Sequence, residues 1–233
     1  MIQINNLTKQ FGDNEAVNIP SLHINRGEAV GLVGNNGAGK TTLFRLILDL
    51  YKANTGEVLN HGENVAKGEE WKAFTAAYID GSFLIDFLTP EEYFNFYGET
   101  RGIDRDEVKL RLTRFEKFMN GEILGQKKYI RNFSSGNKQK IGIIATLLAE
   151  PEIIILDEPF NFLDPSSQIE IKRILKEYNS EKGTTLLVSS HNLDHIVDVS
   201  SRILLMEKGH IINDVRNENG AAAEILNDYF GGK

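Results

Sequence analysis

The chain of 233 residues contains no cysteine, which removes disulfides, thiolate metal sites and a cysteine nucleophile at once. A cysteine-free chain fits a reducing compartment. Basic charge is not in excess either: 26 Lys and Arg against 33 Asp and Glu leave a formal net charge of -7. Non-specific nucleic-acid binding relies on Lys and Arg to neutralise phosphates, so no nucleic-acid partner is expected. No apolar run approaches the roughly 20 residues that cross a bilayer. The longest, at 153–156 and 203–206, have the length of buried strands. The first residues lack the basic region and apolar core of a secretory signal. Internal repeats and low-complexity linkers are also missing. We therefore expect a soluble, cytoplasmic chain that needs a partner to hold it at any membrane.

What is present is an ordinary globular composition, 41% hydrophobic and 25% charged, with a regular alternation of patterns. Ile2 and Ile4 alternate with Gln3 and Asn5, as in a strand with one buried face. A turn at 11–14 leads to a second strand over 17–24 and a third over 28–33. A helix over 40–51 carries Leu43, Leu46, Ile47 and Leu50 on one side. Short strands fit 58–60 and 75–79. From 86 to 132 the texture becomes helical. Thr89, Pro90 and Glu92 fit a capping box with proline in the first turn, and Val108, Leu112, Phe115 and Met119 give a second helix its apolar face. Helices then fit 136–149, 166–178 and 193–199, between strands at 153–156, 184–189 and 202–206. A hairpin turn at 207–210 and a short helix over 221–229 complete the chain. Strands alternating with helices predict a parallel sheet covered on both faces.

Gly34-Asn35-Asn36-Gly37-Ala38-Gly39-Lys40-Thr41 matches G-x-x-x-x-G-K-[ST] between a predicted strand and a predicted helix, the context of a phosphate-binding P-loop. Glycines let the backbone bend so that its N–H groups face phosphate oxygens, and the helix N-terminus adds a favourable dipole. Lys40 is expected to reach the outer phosphates, the Thr41 hydroxyl to ligate Mg²⁺, and Thr42 to border the site. The apolar run Ile153-Ile154-Ile155-Leu156 ends in Asp157-Glu158. Taken alone, two carboxylates at a strand end also fit solvated caps. Beside a P-loop they supply what phosphoryl transfer needs, with Asp157 for the metal, directly or through water, and Glu158 to polarise an attacking water. The Asn-Lys-x-Asp pattern of guanine readers is absent, since Asn137-Lys138-Gln139-Lys140 lacks the Asp. ATP is thus the favoured nucleotide.

Four further segments carry family-like patterns. Phe133-Ser134-Ser135-Gly136-Asn137 resembles the ABC signature, usually Leu-Ser-Gly-Gly-Gln. Glu158-Pro159-Phe160-Asn161-Phe162-Leu163-Asp164-Pro165 resembles the run from the Walker B strand into the D-loop. Ser189-Ser190-His191 resembles the H-loop, and Phe11 resembles the A-loop aromatic that stacks on adenine. His191 by itself would read as an ordinary hydrogen-bonded histidine, and Phe11 as a core residue. Together, in order and over nearly the whole chain, these motifs resemble the ABC ATPase family.

The resemblance implies a single ABC ATPase domain over 1–233. Its α/β P-loop core would be a mostly parallel sheet covered by helices, with an N-terminal antiparallel β subdomain and a helical subdomain inserted at 86–132. It implies Mg²⁺-dependent ATP hydrolysis, with Glu158 and His191 catalytic. It also implies a head-to-tail pairing with a second copy or a homologous ATPase. Ser134, Ser135, Gly136 and Asn137 of one subunit would then meet ATP on the other, and Asp164 would work across the interface. The expected partner is a separately encoded transmembrane permease docked on the insertion. That would place the chain on the cytoplasmic face of a membrane as the motor of an exporter. A soluble, non-transport ABC ATPase is the alternative, and a non-hydrolysing regulatory subunit is a third.

Three departures from the family pattern stand out. Ser135 replaces the first signature Gly, and Phe160 stands where Thr is common. The third is the Q-loop, where the family places Gln after the strand at 75–79. Here the chain reads Tyr78-Ile79-Asp80-Gly81-Ser82, and Asp80 is the candidate to meet the metal's hydration shell.

Overall fold

The alternating N-terminal residues form β1 (Ile2–Phe11) and β2 (Asn14–Ile24), paired antiparallel with Ile2 opposite Ile24. The buried strand β3 (Ala29–Val33) runs into the glycine loop and then α1 (Lys40–Ile47). The helix stops earlier than its apolar pattern suggests, because Asp49 takes a left-handed φ of 51° and the chain turns away. Two short strands follow, β4 (Thr55–Asn60) and β5 (Glu63–Asn64). A single turn, α2 (Trp71–Phe74), precedes β6 (Thr75–Tyr78). The computed structural model describes residues 1–218, with Ala222 and Leu226. The helix expected over 221–229 lies outside the described residues apart from those two, which are buried.

The segment after β6 is helical, as its pattern predicts. In α3 (Pro90–Thr100) the capping box forms: the Glu92 amide donates to Thr89 Oγ1 at 3.3 Å, and the Thr89 amide donates to the Glu92 carboxylate at 2.8 Å. The expected second helix is broken. It runs as α4 (Arg105–Leu112), a 3₁₀ turn at Thr113–Phe115 and α5 (Glu116–Met119), and the tighter turn still buries Phe115, Phe118 and Met119. Then come α6 (Ser135–Leu148), β7 (Ile153–Leu156), α7 (Pro165–Lys182), β8 (Thr185–Ser190), α8 (Leu193–Val199), β9 (Arg202–Glu207) and β10 (His210–Arg216). Helix α7 is longer than expected because Asp164 caps one end and Gly183, at φ 67°, closes the other.

The strands make two sheets. One is antiparallel, in the order β2-β1-β4-β5. The other runs β10-β9-β3-β8-β7-β6, parallel from β9 to β6 with β10 antiparallel at the edge. Period-two alternation sorts the parallel strands between two cores. Val30, Leu32, Ile153 and Ile155 face α1 and the antiparallel sheet. Ala29, Val33, Ile154 and Leu156 face α6, α7, α8 and the inserted helices. Helix α1 is thus packed between the two sheets, and its N-terminus opens at the carboxyl ends of β3, β7 and β8, where ligands bind in open α/β sheets.

Candidate active site

The loop from β3 to α1 needs two left-handed glycines. Gly37 has φ 84° and Gly39 φ 108°, and a Cβ on Gly39 would lie 2.3 Å from the Ala16 carbonyl oxygen. The loop borders a cavity of about 300 Å³ lined by Phe11, Asn14, Ala16, Asn36 through Thr42, and Glu158. Lys40 is only 6% exposed. Its Nζ donates to the Gly34 carbonyl at 2.6 Å and lies 3.3 Å from Glu158 Oε1. The ammonium is thus anchored at the cavity between the loop's own backbone and the carboxylate at the end of β7.

The carboxylates are placed with similar care. Asp157 Oδ2 accepts from the Thr41 hydroxyl at 2.5 Å, and Oδ1 accepts from the Ser189 hydroxyl of β8. Burial raises the Asp157 pKa, against the two hydroxyl donors, which favour the ionised form. The Glu158 amide donates to Ser189 Oγ at 2.9 Å, while its backbone turns left-handed at φ 48° and swings the side chain toward the cavity. Glu158 Oε2 is 2.8 Å from His191 Nδ1 and accepts from the His191 amide at 3.3 Å. Glu158 therefore sits between a buried cation and a histidine.

Two residues that the sequence reading passed over hold this arrangement from behind. The buried Gln139 of α6 donates from Nε2 to the Glu158 carbonyl at 3.1 Å and accepts from the Tyr78 hydroxyl at 3.1 Å. The Tyr78 carbonyl in turn accepts from the Asp157 amide at 2.9 Å. Nothing in the local pattern singles these out. A buried Gln one turn into a helix is the only signal, and it needs the fold to be read. Asn14 and Ala16 of β2 also enter the cavity wall unannounced.

Not every expected residue reaches the cavity. Gly34 and Asn35 shape the loop through their carbonyls, both within 3.5 Å of Lys40 Nζ, without lining the cavity. Ser134 caps α6 by accepting from the Asn137 amide at 3.3 Å. With Ser135, Gly136 and Asn137 it lies off the wall of its own chain's cavity. Asp164 is likewise away from the cavity, capping α7 through the Ser167 amide at 3.0 Å and the hydroxyls of Ser166 and Ser167. These bonds hold its carboxyl well below the usual carboxylate range. Asp80 departs from expectation. Its Oδ1 accepts from the Ser82 amide and hydroxyl, its Oδ2 pairs with Arg45 at 3.0 Å, and it is not part of the cavity wall. Both carboxylate oxygens thus have partners within the chain, at the position where a part in the metal's hydration shell was expected.

A glycine loop at a helix N-terminus, a buried Lys, a Thr–Asp pair and a Glu–His pair thus meet at one end of the parallel sheet. Residues 17–161 match the family model described as ABC transporter. The chain belongs to the ABC transporter family. It is an ATP-binding subunit and, in its chemistry, an ATP hydrolase. It is 34% identical over 221 residues to a bacitracin transport ATP-binding protein of Enterococcus faecalis, covering 92% of this chain and 69% of that one. It is 31% identical to a methionine import ATP-binding protein of Listeria innocua, covering 97% and 68%. Its fold superimposes on a solved ATP-binding subunit of an ABC transporter with a TM-score of 0.84 at 26% identity, over 99% of this chain and 93% of that one. Among the described residues, no helix is long and apolar enough to cross a membrane.

Proposed function

We propose that this ABC subunit hydrolyses ATP with Glu158 as the base and drives a membrane permease encoded as a separate chain. The observation that carries the reading is the position of Glu158, joined to His191 at 2.8 Å and to Lys40 at 3.3 Å on the wall of the P-loop cavity. The amides of 37–39 cradle the phosphates, and Lys40 turns from the Gly34 carbonyl to the outer phosphate oxygens. Glu158 accepts the proton of the attacking water, and His191 holds the carboxylate in line.

Thr41 and Asp157 are the residues that would hold Mg²⁺. Their donor set fits: two hard oxygens already in contact, and no group of three or more His, Cys, Asp or Glu among the described residues that would demand an all-protein cage. Mg²⁺ takes such a small protein share and fills the rest with phosphate and water oxygens. When bound, it neutralises charge developing on the phosphate oxygens.

The signature residues Ser134, Ser135, Gly136 and Asn137 open α6 away from the chain's own cavity. This supports a head-to-tail pair, in which the α6 N-terminus of one subunit meets ATP held by the other and Asp164 lies at the interface. The partner is a second copy or a homologous ATPase, and the helices between β6 and β7 meet the permease on the cytoplasmic face of the membrane. Export is the direction we propose, with import as the alternative. Comparable similarity to a bacitracin transport protein and to a methionine import protein leaves direction to the permease.

In Glu158→Gln, the amide keeps a hydrogen-bonding oxygen but loses the base. Turnover should fall by about 10²- to 10⁴-fold while ATP still binds, and undiminished phosphate release would remove Glu158 from the role. The same variant, tagged and held with ATP and Mg²⁺, tests the transporter reading. Recovery of a polytopic membrane protein from solubilised membranes supports it, and recovery of soluble partners alone favours a non-transport ABC ATPase.

A further inference from the structure

Phe11 on the cavity wall does not stand alone. The ring of Tyr51 meets it edge-on, with centroids 5.5 Å apart and planes at 73°. Arg45, on the same α1 that begins with Lys40, reaches in two directions. Its Nη1 donates to the Tyr51 hydroxyl at 2.7 Å, and its Nη2 pairs with Asp80 Oδ2 at 3.0 Å. Its guanidinium carbon also lies 5.3 Å from the Tyr51 ring centre. Asp80 is pinned in turn by the Ser82 amide at 2.8 Å and by the Ser82 hydroxyl. Lys9 completes the cluster, 5.0 Å from the Phe11 ring centre, with its Nζ donating to the Lys52 carbonyl at 2.8 Å. A continuous run of contacts thus joins the loop after β6 to the aromatic edge of the cavity.

Phe11 is 46% exposed at the end of a strand, and an exposed ring has rotamer freedom to lose when a base stacks on it. An edge-on neighbour removes part of that freedom beforehand. Tyr51 can serve this way only if its own ring is held, and a charge-assisted hydrogen bond from Arg45 holds it. Arg45 stays in place because Asp80 neutralises it on the other side.

We propose that Tyr51, Arg45 and Asp80 are positioning residues that preorganise Phe11 for the adenine ring, so that base recognition depends on the loop after β6. This rests on the reading of Phe11 as the adenine platform. It also gives the carboxylate at the Q-loop position a role directed at the base rather than at the metal.

The test compares ATP with inorganic tripolyphosphate by calorimetric titration of the full chain, because both engage the Lys40 loop and only ATP carries a base. Tyr51→Phe, which removes one hydroxyl, should raise the Kd for ATP about fivefold and leave tripolyphosphate unchanged. Asp80→Asn keeps an acceptor for Ser82 but removes the charge facing Arg45, and should show the same selective loss. The double variant should be no weaker than the weaker single, since both break one run of contacts. Equal losses for both ligands would overturn the proposal, as would fully additive losses. Phe11→Ala separates the two levels. If it leaves ATP affinity intact, the platform reading itself fails. If it weakens ATP while Tyr51→Phe and Asp80→Asn do not, the platform stands and the positioning chain is refuted.

Discussion

Replacing Gly142 with Ala should destabilise the protein, although alanine is the better helix former. Gly142 lies inside α6, where Gly→Ala ordinarily gains about 1 kcal/mol. A Cβ there would fall 2.0 Å from Tyr78 Cε2, 2.4 Å from Cδ2 and 2.9 Å from Cζ. The Tyr78 ring is 5% exposed and cannot swing into solvent. Forcing extra volume into a packed core costs about 1–3 kcal/mol. Moving the ring also pulls its hydroxyl from Gln139, and a buried polar group left unpaired costs about 1–3 kcal/mol. Set against the helix gain, the net loss is about 1–5 kcal/mol, and at the middle of that range, about 3 kcal/mol, Tm falls by about 6–12 °C for a chain of this size. Thermal unfolding followed by circular dichroism measures it. Turnover should fall too, because Gln139 also holds the Glu158 carbonyl. Tyr78→Leu is the control background, in which Gly142→Ala should become neutral or stabilising. A rise in Tm from Gly142→Ala in the otherwise unaltered chain would refute the reasoning.

Two further substitutions probe other parts of the site. Lys40→Ala removes the buried ammonium and leaves Glu158 without its cation, so nucleotide affinity should fall about 10- to 100-fold in an equilibrium titration. Binding at unaltered strength would take Lys40 out of the site. Asp164→Ala removes the cap of α7 and should cost about 1–2 kcal/mol of stability. The sign of its pH dependence follows from the depressed pKa. The unfolded state binds the proton first, so the carboxylate's contribution is complete above the unfolded value near 4 and is lost as pH falls through the lower folded value. The Tm gap between the native chain and Asp164→Ala should therefore stay level from pH 7 to 5 and narrow only in stronger acid. Narrowing between pH 7 and 5 would contradict that assignment.

Local order along the chain determined much of this protein. The run from Gly34 to Thr41 needs only its own glycines to turn from a strand into the helix it opens, and Ile153–Leu156 needs only its apolar length to be a buried strand ending in Asp157 and Glu158. The capping box at Thr89 and the cap at Asp164 are likewise set within four residues. Family membership follows from such short segments in their order, because each segment's chemistry is complete in itself. Tertiary structure alone decided what depends on residues distant in sequence. It brought Thr41 to Asp157, Ser189 to the Asp157 carboxylate and the Glu158 amide, and Gln139 between Tyr78 and Glu158. It also turned Asp80 away from the cavity toward Arg45, where the sequence pattern suggested a metal role. The difference is physical. A backbone turn or a helix cap is satisfied by near neighbours, whereas a buried carboxylate or guanidinium takes whichever partner the packing of the two sheets around α1 places beside it, and no local pattern records that choice.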